Sequence, residues 1–108
     1  MMRITINRKT GTISFREEVL RDTFAKIDYR TKARLIYQQS GGEDKSLNGT
    51  LIRDAAELAR AIVKDIVSDV QFFIFGKEID RMEKRLYQAL VDEIMNCCEE
   101  RRRAVYGR

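Results

Sequence analysis

Chemistry in this chain would have to start at Cys97 and Cys98, at the carboxylate neighbours Asp92 with Glu93 and Glu99 with Glu100, or at Tyr106 beside Arg101, Arg102 and Arg103. Adjacent thiols suggest redox work or part of a metal site. Neighbouring carboxylates suggest an acid–base pair, and a tyrosine among arginines suggests a nucleophile with phosphate clamps. Each fails on spacing or setting. Successive side chains on a helix point about 100° apart, so a Cys97–Cys98 disulfide would need an unusual backbone, and no CxxC spacing offers zinc a chelate. The expectation is two reduced thiols, Cys97 in the core beside an exposed Cys98. Adjacent carboxylates on a charged helix are ordinarily solvated, and Tyr106 lies where a helix is expected to fray. The stretch SGGEDKS, Ser40–Ser46, holds glycine, lysine and serine but lacks P-loop spacing and follows no convincing strand.

The chain has no histidine. That removes the most frequent general base, the usual triad partner and the commonest transition-metal ligand. No catalytic residue, metal site, cofactor or small-molecule substrate is expected.

What remains is binding. Residues 1–38 carry a net charge of +5, residues 39–100 carry −5 and residues 101–108 carry +4, which together give the formal net charge of +4. One reading of that segregation is assembly, in which basic ends of one copy meet the acidic middle of another or of a different protein subunit. FFIFGKE, Phe72–Glu78, supplies the apolar half of such an interface. Three of the chain's five phenylalanines fall within it, and exposed apolar clusters mark contact surfaces, although rings at a helical elbow can equally plug a core. The expected partner interface is Phe72, Phe73, Phe75, Ile79 and Met82. The competing partner is nucleic acid, met by Arg8, Lys9, Arg30, Lys32 and Arg34, with Tyr29 and Tyr37 to stack, and by Arg101, Arg102 and Arg103.

Either partner requires elements that present these side chains. Ile4 and Ile6, then Ile13 and Phe15, alternate with polar residues as half-buried strands do, and Gly11 between them allows a tight turn, so residues 1–15 read as a β-hairpin. A lone hairpin is marginal and must lie on helices or pair with another chain. Ser14 and Glu17 have capping-box spacing, and Val19, Leu20, Phe24 and Ile27 share a helical face, so residues 16–39 read as one helix bent near Asp28, with a strand over 29–38 as the alternative. Ser40–Thr50 has the composition of a flexible loop. With Thr50 as cap, Ile52, Ala56, Ala59, Val63, Ile66, Val70 and Phe73 form a stripe along a helix over 51–75. Gly76 stops that helix. A second one over 77–104 buries Ile79, Met82, Leu86, Leu90, Ile94 and Cys97, and residues 105–108 form a tail.

The expected fold is mainly α with a minor β part, a single domain in which the last two helices pack as an antiparallel hairpin. No apolar run reaches the ~18 residues of a membrane span, and the opening MMRITINRKTG holds no run of signal-peptide length, so a cytoplasmic location is expected. The expected function is a non-catalytic assembly or adaptor subunit, a component of a viral or mobile-element particle being one form it would take.

Overall fold

Alternating apolar residues close the N-terminal region into a sheet rather than a simple hairpin. In the computed structural model, which describes residues 2–17, 23–40, 49–69 and 76–106, the strands are β1 (Met2–Asn7), β2 (Thr12–Glu17) and β3 (Thr23–Asp28). They pair antiparallel in the order β1-β2-β3. The register lines up two apolar rows across the sheet, Ile4–Phe15–Ala25 and Ile6–Ile13–Ile27. Ile13 and Phe15, on the central strand, are fully buried, and the edge-strand members are partly buried.

The third strand corrects the expected helix over 16–39. A two-stranded ribbon leaves β2 open on one edge, and Ala25 and Ile27 alternate with Lys26 and Asp28 in the period a covering strand needs. Lack of glycine and proline in this stretch carried no information about helix. Ser14 and Glu17 are strand residues, not a capping box. The chain does turn helical at the expected bend. Asp28 caps α1 (Tyr29–Gln39) by accepting from the Thr31 backbone N–H at 3.0 Å and from the Thr31 hydroxyl at 2.8 Å. Those bonds hold its carboxyl below the usual range. Tyr29, Ala33, Ile36 and Tyr37 form the buried face of α1 at spacings of three and four, so 29–38 is helix, not strand.

Helix α2 (Gly49–Asp69) and helix α3 (Gly76–Tyr106) pack as a hairpin, making the protein mainly α with a minor β part. The helix starts at Gly49, ahead of the expected cap Thr50, and its buried face is Leu51, Ala55, Ala59 and Val63. Only its first turns depart from the expected stripe, since Ile52 is exposed and Ala56 partly so, while Ala59 and Val63 are buried as expected and Ile66 packs against the core. Gly76 opens α3 instead of closing α2. On α3 the stripe lies where its spacing puts it, with Met82, Leu86, Leu90 and Ile94 fully buried and Ile79 half-buried. Loss of one such leucine to alanine costs about 2–5 kcal/mol.

Helix α3 is the spine. Helices α1 and α2 both pack extensively along it, whereas the sheet touches it, and α1 touches α2, more sparingly. At about 1.5 Å per residue its 31 residues span roughly 46 Å, which sets the 51 Å long axis of the molecule. Being covered on more than one side explains a second correction: Cys98 is as buried as Cys97. Burial pushes both thiols above their ordinary pKa, and both are free cysteines. No described helix is long and apolar enough to cross a membrane.

Candidate functional site

The first group of expected interface residues divides. Phe72, Phe73 and Phe75 lie outside the described residues. Ile79 packs against the core, and Met82 is 0% exposed. A methionine on the inward stripe of the spine serves this chain's own interior, so Met82 is corrected from contact surface to core.

The basic residues do not form one surface either. Arg8 and Lys9 sit at the β1–β2 turn, which is fixed from within and from below. The Asn7 side chain accepts from the backbone N–H groups of Lys9 at 3.0 Å and Thr10 at 3.2 Å, and Gly11 N–H donates to Asn7 at 2.9 Å. Gly11 has φ +71°, and a Cβ there would meet Arg30 Cβ at 2.5 Å. Arg30 latches the turn to α1, its backbone N–H donating to the Gly11 carbonyl and its guanidinium to the carbonyls of Arg8 and Lys9. Arg30 thus spends its donors on the chain's own backbone.

Arg34 is spent on α3. Its Nε donates to Glu93 Oε1 at 3.1 Å and Nη2 lies 2.9 Å from the same oxygen. Nη1 and Nη2 reach Glu100 at 3.2 and 3.1 Å in a two-pronged contact. That contact holds the guanidinium protonated more firmly than usual and holds the Glu100 carboxyl below its usual range. Arg30 Nε adds a contact 3.7 Å from Glu93, and Asn96 Nδ2 donates to the other Glu93 oxygen at 3.4 Å. Arg102 and Arg103 pair with Glu99 at 3.5 and 3.3 Å. Lys32 lines a groove between α1 and α2, and Arg101 lies beside Tyr37 and Cys97.

Glu93 is the residue the sequence reading missed. It is the one buried charged side chain among the described residues, 4% exposed, where a solvated carboxylate beside Asp92 was expected. The signal was its phase: Glu93 stands three residues after Leu90 and four before Cys97, on the apolar stripe itself. A carboxylate there survives burial only with cationic donors, and Arg34 and Arg30 supply them. The cluster is a tether. Two hollows adjoin it, one of about 130 Å³ lined by Tyr29, Arg30, Asp92 and Glu93 among others, and a wider one of about 390 Å³ lined by Arg30, Arg34, Glu93, Glu100 and Arg103 among others. Every described buried polar side-chain atom has a partner, and no described trio of cysteine, aspartate and glutamate could hold a metal.

Two features stand exposed among the described residues. Helix α3 runs past its supports: residues 101–105 are all exposed, and Val105 is 49% exposed among the arginines. The groove between α1 and α2, about 480 Å³, is lined by Leu35, Ile36 and Leu58, with Asp54 and Glu57 on one wall against Lys32 on the other. Leu35 is 49% exposed. Both features lie at the same end of the molecule, because Tyr37 and Gln38 at the end of α1 lie beside Arg101. Comparison of the chain with protein-family models, with curated proteins and with solved structures finds no match in any of the three.

Proposed function

We propose that this protein is a non-catalytic assembly subunit that pairs with a second copy by exchanging the overhanging end of α3. In that pair the last turns of α3 lie in the α1–α2 groove of the other copy. Val105 meets Leu35 and Leu58, and Arg101 and Arg102 face Asp54 and Glu57. The observation that carries the reading is the overhang itself. A helix end exposed on every side gains little from its own chain, and residues 101–105 extend it by roughly 7 Å into solvent. Groove and overhang share one end, so the exchange is reciprocal and closes as a two-fold dimer, the commonest symmetric assembly. Apolar anchors flanked by opposite charge give such a contact both affinity and register. The two free thiols suit a reducing, cytoplasmic compartment.

Sedimentation velocity across a range of concentrations tests this. The wild type is expected to sediment as a dimer at high micromolar concentration. Leu35→Asp and Val105→Asp, both at exposed positions, are expected to sediment as monomers with unchanged helical circular dichroism. A wild type that stays monomeric, or variants that dimerise as the wild type does, would contradict the proposal.

A further inference from the structure

We infer that the open edge of β1 takes an extended acidic segment of a partner protein as a fourth strand, independently of the dimer contact. Among the described residues the sheet ends at β1, since its order is β1-β2-β3. Along an antiparallel strand, residues alternate between bonding one neighbour and turning both backbone groups to the other side. The Asn7 carbonyl accepts from the Gly11 N–H, on the β2 side, at 2.9 Å. Met2 is in the opposite phase: its N–H donates to Glu78 Oε2 at 3.3 Å and its carbonyl accepts from Arg81 Nη1 at 2.6 Å. Ile4 and Ile6 share the phase of Met2, so their N–H and C=O groups are presented at the same open edge. Glu78 and Arg81 do for Met2 what a neighbouring strand would do, and among the described residues no side chain does so for Ile4 or Ile6.

The side chains around that edge select the occupant. Ile4 and Ile6 are half-buried on the inner face of the sheet, and Arg3, Thr5 and Asn7 are exposed on the outer face. A strand laid alongside alternates in the same way, so it meets an isoleucine at every second position and polar groups between. β1 and its turn carry Arg3, Arg8 and Lys9 and no acidic residue. The latch from Arg30 to the carbonyls of Arg8 and Lys9 fixes the last two cations at the end of the strand. Asp28, level with Asn7 on the sheet, is two strands away and accepts bonds from Thr31. Opposite charges across a ladder stabilise pairing and like charges oppose it, so the incoming strand is one that alternates apolar and acidic residues. Main-chain bonds at Ile4 and Ile6 supply the affinity, and the alternating side chains supply the choice. The edge begins beside the first turns of α3, at Glu78 and Arg81, away from the overhang at 101–105 that serves the dimer contact.

Amide hydrogen exchange followed by NMR tests this, with a synthetic probe peptide of about eight residues that alternates glutamate and valine. In the free protein the Ile4 and Ile6 amides are expected to exchange quickly, with that of Thr5 slow between them. At a probe concentration about ten times its Kd, both are expected to slow about tenfold. Arg3→Glu is expected to weaken binding of the probe about tenfold. Leu35→Asp, which removes only the dimer contact, is expected to bind it as the wild type does. Ile4 and Ile6 amides already slow in the free protein, rates that the probe leaves unchanged, or equal binding by Arg3→Glu would overturn the inference. Equal binding of a probe with lysine in place of glutamate, or proline in place of valine, would do the same. So would slowing of the two amides with protein concentration alone, which would assign the edge to a second copy.

Discussion

Arg34 on α1 and Arg3 on β1 are both cations in the basic first third of the chain, yet they are in opposite physical situations. Arg34 is held by two carboxylates from α3, one of them buried. Arg3 stands exposed across the ladder from another arginine. The first is part of how the fold is tied together, and the second is a charge displayed on the surface. A cation in a sequence is therefore not yet a cation on a surface. What decides is whether the topology brings a carboxylate within reach, as it does for Arg34 on α1.

The comparison can be broken most severely at Arg34. Arg34→Ala leaves Glu93 buried with only Arg30 and Asn96 beside it, and is expected to cost about 2–3 kcal/mol. That corresponds to a fall in Tm of roughly 10 °C by calorimetry. Gly11→Ala comes next, at about 1–2 kcal/mol in denaturant titration, because alanine is strained at φ +71° and its Cβ would push Arg30 out of its latch. Asp28→Ala removes the cap of α1 and is expected to cost about 1 kcal/mol.

Acid has a similar effect by another route. The carboxyls of Asp28 and Glu100 are both depressed in the folded chain. Their contributions are therefore complete above the unfolded value of about 4 and are lost as pH falls through the lower folded values. Unfolding followed by circular dichroism is expected to show stability flat near neutrality and declining modestly below about pH 4, since both carboxyls are exposed and screened. The smallest effect belongs to Arg3→Ala. It is expected to change stability by less than about 0.5 kcal/mol, as for exposed surface positions.

The same contrast explains what was legible in advance. The α3 stripe was readable because Met82, Leu86, Leu90, Ile94 and Cys97 hold one phase over a long helix. The α2 face was found, with Ala59 and Val63 buried as expected, but its first turns were placed a residue late, because Leu51 and Ile52, and Ala55 and Ala56, are adjacent apolar pairs that satisfy either phase. β3 was missed since its few alternating residues sit inside a stretch that also fits helical spacing, and its partner β2 is defined only by non-local pairing. The tether was invisible to composition: Arg30 and Arg34 reach Glu93 and Glu100 across about sixty residues of sequence, a distance that only the fold removes. The overhang of α3 was half readable, as an arginine run at a helix end, but not its exposure on every side.

The exchange of that overhang between copies is most directly tested by mixing two variants that are each expected to be monomeric. Leu35→Asp spoils the groove and keeps the α3 end; Val105→Asp spoils the α3 end and keeps the groove. Sedimentation of the equimolar mixture is predicted to recover a dimer, since the Leu35→Asp copy can still place its α3 end in the intact groove of the other. A mixture that remains monomeric while the wild type dimerises would contradict the account.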